Sequence, residues 1–230
     1  MTLDTSFDFR SDAGGLDPDT HSPTLRNYHQ RLWSKPLPNG KMFDLVTTTP
    51  NAYLHHRSDL GQFFLASDSV IATLTGRAKR LTDQLNEGDR AEFHRVGYTI
   101  GGMMVFPGDR REGKMTLNGA RGFHPRIADR LDLTLECIRR HYVGEPSPLG
   151  DTIARYSDFF ALFDDFAGYA EFFHLQDFVS DDSSAVDFLH SFDDFTTPAV
   201  PATLDTYMEY RRRSIEKVKA RNRRIDALEL

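Results

Sequence analysis

From residue 127 to residue 142, apolar residues recur at helical spacing. Ile127, Leu131, Leu135, Ile138 and Tyr142 share one face, while Arg126, Asp129, Arg130, Glu136 and Arg140 gather on another. Leu133 and Cys137 sit among the charges. That mixture predicts a helix covered on more than one side, with some of its ions sheltered. Pro125 suits the first helical position, and Gly144 with Pro146 marks the stop. Just before it, Gly119 and Gly122 bracket Ala120-Arg121 and predict a turn-rich lead-in.

Elsewhere the period changes along the chain. Strands are predicted over 5–10, 41–47, 52–56 and 98–107, and residues 62–71 form a short apolar run that fits strand or helix. Gly101-Gly102 predicts a bulge or a close backbone approach. Ser22-Pro23 starts a helix with Leu25, Tyr28, His29, Leu32 and Trp33 on one face, and Pro36 ends it. Residues 77–96 are polar and read as helical, with a break near Gly88. Asp151 caps a predicted helix running to Val179. Its stripe of Tyr156, Phe159, Phe160, Phe163, Phe166 and Phe173 reads as core, and Gly168 within it predicts a packing contact. Residues 180–184 and 196–201 read as connectors. A last helix spans 204–227, with Leu204, Tyr207, Ile215, Val218 and Ile225 on one face.

Strands early and helices late predict an α+β fold. The expected form is a small, mostly antiparallel sheet from the N-terminal half, packed by helices concentrated in the C-terminal half. No repeat or composition shift divides residues 1–230, so one domain is expected. A chain of 230 residues can bury a full core without staples. Its single cysteine excludes an internal disulfide framework and a cysteine-rich zinc site. No apolar run approaches the roughly 20 residues that span a bilayer. The acidic start, MTLDTSFDFRSDAGG, lacks a signal-peptide core. A cytoplasmic protein that is not embedded in a membrane is therefore expected. The net charge of −6 argues against a nucleic-acid coat and leaves room for a local basic patch.

The candidate chemistry centres on residues 121–140. Arg121, His124, Arg126, Arg130 and Arg140 are candidate anion contacts near a helix start, where free N–H groups add to the attraction. Glu136 is the candidate orienting carboxylate or general base, with Arg140 four residues on. The competing reading is a core helix with structural ion pairs. Residues 211–224, RRRSIEKVKARNRR, form a basic stretch that fits either phosphate contacts or a solvated helix end. Asp17, Asp19 and His21 carry metal-ligand chemistry, but Asp beside Pro ordinarily makes turns, and no metal is assigned. The histidines show no zinc-hydrolase spacing, and no nucleophile elbow or phosphate-cradling loop is present. Cys137, mid-helix among packing residues, reads as an inert thiol.

LPNG (37–40), YTIGGMMVFPG (98–108), NGARG (118–122), IADRLDLTLECIRRHY (127–142), FDDFTTPAVP (192–201) and RNRRID (221–226) resemble a bacterial domain family of unknown function. The resemblance covers nearly the whole chain. It implies a single-domain intracellular protein and brings no activity, cofactor or catalytic residue. Arg10 in FDFRSD, Ser67-Asp68-Ser69 in FFLASDS and Glu136 also follow the order seen in Arg-Ser-Glu ADP-ribosyltransferases. Asp68 replaces that family's central Thr, and Glu136 falls in a predicted helix without a partner two residues earlier. The leading expectation is an enzyme or binding protein for a phosphate-bearing ligand, either a nucleotide or nucleic acid. Contact would be through the central helix or the basic C-terminal helix. The alternatives are an interaction module, such as a homodimer, and an ADP-ribosyltransferase-like NAD enzyme. The cofactor is left unknown.

Overall fold

The computed structural model of the protein describes residues 3–74 and 76–228. A short helix α1 (Pro18–His21) leads into α2 (Pro23–Trp33). Strands β1 (Lys35–Pro36) and β2 (Met42–Phe43) pair antiparallel. Strands β3 (Leu54–Ser58), β4 (Gly61–Ser69) and β5 (Met103–Pro107) form an antiparallel sheet in that order. Helices α3 (Lys79–Thr82) and α4 (Glu87–Gly97) lie between β4 and β5. After β5 come α5 (Leu117–Phe123), α6 (Leu131–Val143), α7 (Gly150–Ala154), α8 (Ser157–Phe160), α9 (Phe166–Phe172) and α10 (Leu204–Asp226). The fold is α+β, with its small antiparallel sheets in the N-terminal half.

Local chemistry explains these boundaries. The Ser22 hydroxyl accepts from Leu25 N, and Pro23 takes the first turn of α2, whose buried face is Leu25, His29, Leu32 and Trp33. Alternation along β4 turns Phe63, Leu65 and Ser67 inward, whereas β5 is buried at every residue. Every residue of α6 from Leu131 to Ile138 is buried, charged ones included. A capping box between Thr203 and Thr206 starts α10. One contiguous apolar core joins side chains from Leu3 to Ile225. None of the described helices is long and apolar enough to cross a membrane.

Several elements differ from the expectation. Residues 9–11 form a 3-10 turn rather than a strand, because the Asp8 carboxylate accepts from Arg10 N while Phe9 buries its ring. The break in the 77–96 region falls before Gly88, where the Asn86 side chain caps α4 by accepting from Asp89 N. The predicted helix from Asp151 breaks into short pieces. Asp164 takes φ 64°, ψ −57°, and Asp165 then caps α9 by accepting from Gly168 N. A Cβ on Gly168 would stand 2.2 Å from Phe163 O, which is the close contact expected there.

The central stretch is corrected most. Thr116 caps α5 by accepting from Gly119 N, so Gly119 and Gly122 ride inside a helix. His124 precedes a proline and takes an extended ψ of 122°, which ends α5. Pro125 therefore lies in a turn, and α6 begins only at Leu131.

Candidate functional site

The turn between α5 and α6 sends its charged residues in different directions. Arg121 points inward and is fully buried. Its Nε donates to Thr134 Oγ1 at 2.9 Å and its Nη2 to Asp129 O at 3.0 Å, and it pairs with Asp68. Arg130 is also buried, bound to Asp132 at 2.5 and 3.1 Å and to Ala199 O at 3.0 Å. Asp132 in turn accepts from Leu189 N at 2.9 Å. This ion pair holds the 189–202 segment against α6, and a backbone bond from Ala199 N to Pro125 O ties the same segment to the turn.

Glu136 is clamped. Arg139 donates to both of its oxygens at 2.8 and 2.9 Å, and Arg140 Nε to Oε1 at 2.7 Å. Burial pulls the carboxyl's pKa up, but the bonds from Arg139 and Arg140 outweigh it and hold it below the ordinary value. Arg140 also donates to Pro146 O at 3.1 Å, pairs with Asp194, and lies 5.0 Å from the Phe195 ring centroid. Glu136 thus fixes a guanidinium that reaches the protein surface.

There, His124, Arg126, Arg140, Pro146, Ser147, Asp194 and Phe195 line a hollow of about 510 Å³. A second hollow of about 370 Å³ is lined by Arg126, Arg130, Leu133, His190, Phe192, Phe195, Pro198 and Pro201. Arg126 and Phe195 belong to both. The first hollow is basic and the second largely aromatic and aliphatic. Arg126 is exposed, and among the described residues its guanidinium has no hydrogen bond or ion pair. Burial, then the Arg126 charge, lowers the His124 pKa, so its neutral ring can accept the Arg126 N–H at Nδ1. Asp194 is mostly exposed, and Asp194 and Phe195 both take φ 59°.

Four of the five expected anion contacts, His124, Arg126, Arg130 and Arg140, therefore line adjoining hollows. Arg121 faces Asp68 instead. The aromatic wall was missed as a site. Its signal was the FDDFTTPAVP string, where Phe192 and Phe195 precede two prolines; Phe192 stacks on Phe188 at 4.1 Å.

The other candidates have partners elsewhere. Arg10 pairs with Asp8. Asp17 caps α1 by accepting from Asp19 N, and the His21 ring meets Asp17 O. The Cys137 thiol is buried and pushed up to about 12 by that burial, which leaves it unreactive. Most cations of α10 are engaged within the chain. Arg213 and Lys217 pair with Asp187, Lys219 with Glu92, Arg212 with Glu216 and Arg224 with Asp177. Arg211 and Arg221 are buried on backbone carbonyls.

No curated protein and no solved structure matches the chain. A family model described as "Family of unknown function (DUF6994)" matches residues 3–225, and the chain belongs to that family.

Proposed function

We propose that the chain binds a nucleotide, or an aromatic phosphate ester of similar size, in the paired hollows. The carrying observation is the unpartnered guanidinium of Arg126, standing where the basic hollow meets the aromatic one. A phosphate in the basic hollow takes a charge-assisted bond from Arg126 and replaces Asp194 on Arg140. The ring system lies against Phe195 and Leu133. Glu136 acts as the orienting carboxylate; held by two arginines with its pKa lowered, it is a weak base. The aromatic hollow is concave, which suits a ligand better than a flat partner face. A free nucleotide fits better than nucleic acid, because most cations of α10 already have partners.

The test is ligand-induced stabilisation, which rises with affinity by mass action. A nucleoside monophosphate should stabilise the chain more than its nucleoside or inorganic phosphate alone. Arg126→Gln should weaken binding about ten-fold or more. Asp194→Asn should strengthen it, because the competing carboxylate is gone. No stabilisation by any nucleoside mono-, di- or triphosphate, or a shift unchanged by Arg126→Gln, would overturn the reading.

A further inference from the structure

A second set of groups lies away from the paired hollows. Lys35 follows α2 in β1, and its Nζ is 2.9 Å from His174 Nε2. The same ammonium lies 4.7 Å from the Phe172 ring centroid and 5.3 Å from that of Trp33. Trp33 is the chain's single tryptophan and is fully buried. Its ring is also met by the His174 ring at 5.7 Å and by the Arg221 guanidinium at 5.9 Å.

Lys35 and His174 form a wall shared by two cavities. One, of about 480 Å³, is lined on its polar side by Asp164, Asp165, Glu171 and Gln176. The other, of about 730 Å³, is lined by Arg31, Ser34 and Asp44 among others. Two lining residues, Asp164 and His174, hold φ of 64° and 51°, a backbone region that non-glycine residues rarely enter and that clusters at functional sites.

Burial and a nearby cation act against the charged amine, and one carboxylate acts for it. Arg221 is fully buried on four carbonyl oxygens, those of Gly101, Met103, Phe173 and His174, and makes no ion pair among the described residues. Burial lowers Lys35 to about 8; Glu171 opposes the shift and Arg221 adds to it. Burial, then Lys35, Arg221 and Arg224, lowers His174 to about 3, so its ring is neutral and Nε2 accepts from the ammonium. An amine at that value has on the order of a hundred times the neutral fraction of an ordinary lysine near pH 7.

We propose that Lys35 is a nucleophilic amine that forms an imine with a small uncharged aldehyde or ketone entering from the acid-lined cavity. Neutral Nζ attacks the carbonyl carbon and gives a carbinolamine. The carbinolamine oxygen then takes up a proton and departs as water, and nitrogen loses its remaining proton as the C=N bond forms. His174 is the positioning residue: it aims the amine between the Trp33 and Phe172 rings. The acid lining of Asp164, Asp165 and Glu171 disfavours an anionic carbonyl compound. The proposal is independent of the nucleotide reading and uses none of its residues.

Reductive trapping tests it. The full chain is incubated with glyceraldehyde and cyanoborohydride over a pH series, and the modified lysines are mapped by mass spectrometry. Lys35 should be labelled first, with a half-maximal rate near pH 8, ahead of Lys41, Lys79 and Lys114. His174→Gln should move the Lys35 pH profile and lower its rate. Lys35→Arg should remove the fast label; if that variant misfolds, competition among lysines in the unmodified chain decides alone. Labelling shared evenly among the lysines, or a Lys35 that stays unmodified while exposed lysines react, would overturn the proposal.

Discussion

Asp19 sits in α1, and burial, followed by the negative charges of Asp68 and Asp17, pushes its carboxyl up to about 8. Asp68, half-buried on β4, is pushed up to about 6 by desolvation even though Arg121 opposes the shift. A carboxyl whose folded pKa is raised contributes stability that is complete below its unfolded value, 3.8 here, and is lost as pH rises through the folded value. Asp19 therefore holds the fold best when protonated. Asp19→Asn should raise the melting temperature above about pH 8 and change it little near pH 3, where the acid is neutral in the folded and the unfolded chain alike. Equal effects at both pH values would show that Asp19 does not titrate in this range. In the sequence, Asp19 read as part of a turn-forming string and Asp68 as part of a Ser-Asp-Ser string. That Asp68 meets Arg121, 53 residues on, is set by packing of distant elements and leaves no local pattern.

The body and the end of helix α6 were legible, because its apolar stripe and the stop at Gly144 are local signals. Its start was not, because Pro125 supports two outcomes: it can open a helix, or it can close the one before. Thr116 settled this by capping α5 earlier, which left His124 to end that helix. The ion pairs were half legible. Glu136 with Arg140 follows from four-residue spacing, but the second arm from Arg139 and the reach of Arg140 to Asp194 do not. The Glu136 carboxylate is only 5% exposed, so removing its charge loosens two guanidinium groups. Glu136→Gln should cost about 1–3 kcal/mol, between the exposed and fully buried cases. Its folded pKa is lowered, so its contribution is present above the unfolded value of 4.5 and is lost as pH falls through the folded one. The gap between parent and variant should therefore close on acidification. The same variant should lose part of the nucleotide-induced shift, since Arg140 is no longer held. Melting curves with and without nucleoside monophosphate read both effects; a large loss of stability with an unchanged ligand shift would make the charged face pure scaffold.

At the scale of the whole chain, α10 is the tie between the two halves. Its ends were legible almost to the residue from helical spacing, yet its role was not. The basic run read as solvated or as a phosphate contact, since partners on other elements leave no trace in local sequence. Arg221 and Asn222 carry the tie. Arg221 bonds the carbonyls of Gly101 and Met103 on one side and Phe173 and His174 on the other. Asn222 accepts from Gly101 N at 2.6 Å and donates to Thr99 Oγ1 at 2.7 Å. The approach is close enough that a Cβ on Gly101 would stand 2.5 Å from Val218 O and 2.6 Å from Asn222 Oδ1. This is the close backbone approach that the Gly101-Gly102 pair announced. Gly101→Ala should push α10 away from the start of β5 and cost about 1–3 kcal/mol, the usual range for an overpacked core. Asn222→Ala added to it should recover only part of the loss, because the Val218 carbonyl belongs to the helix backbone and cannot rotate away. Thermal melts of the parent, both single variants and the double variant give the coupling between the positions. Full recovery in the double variant would mean that the side chain alone makes the contact and that α10 does not press its backbone against Gly101.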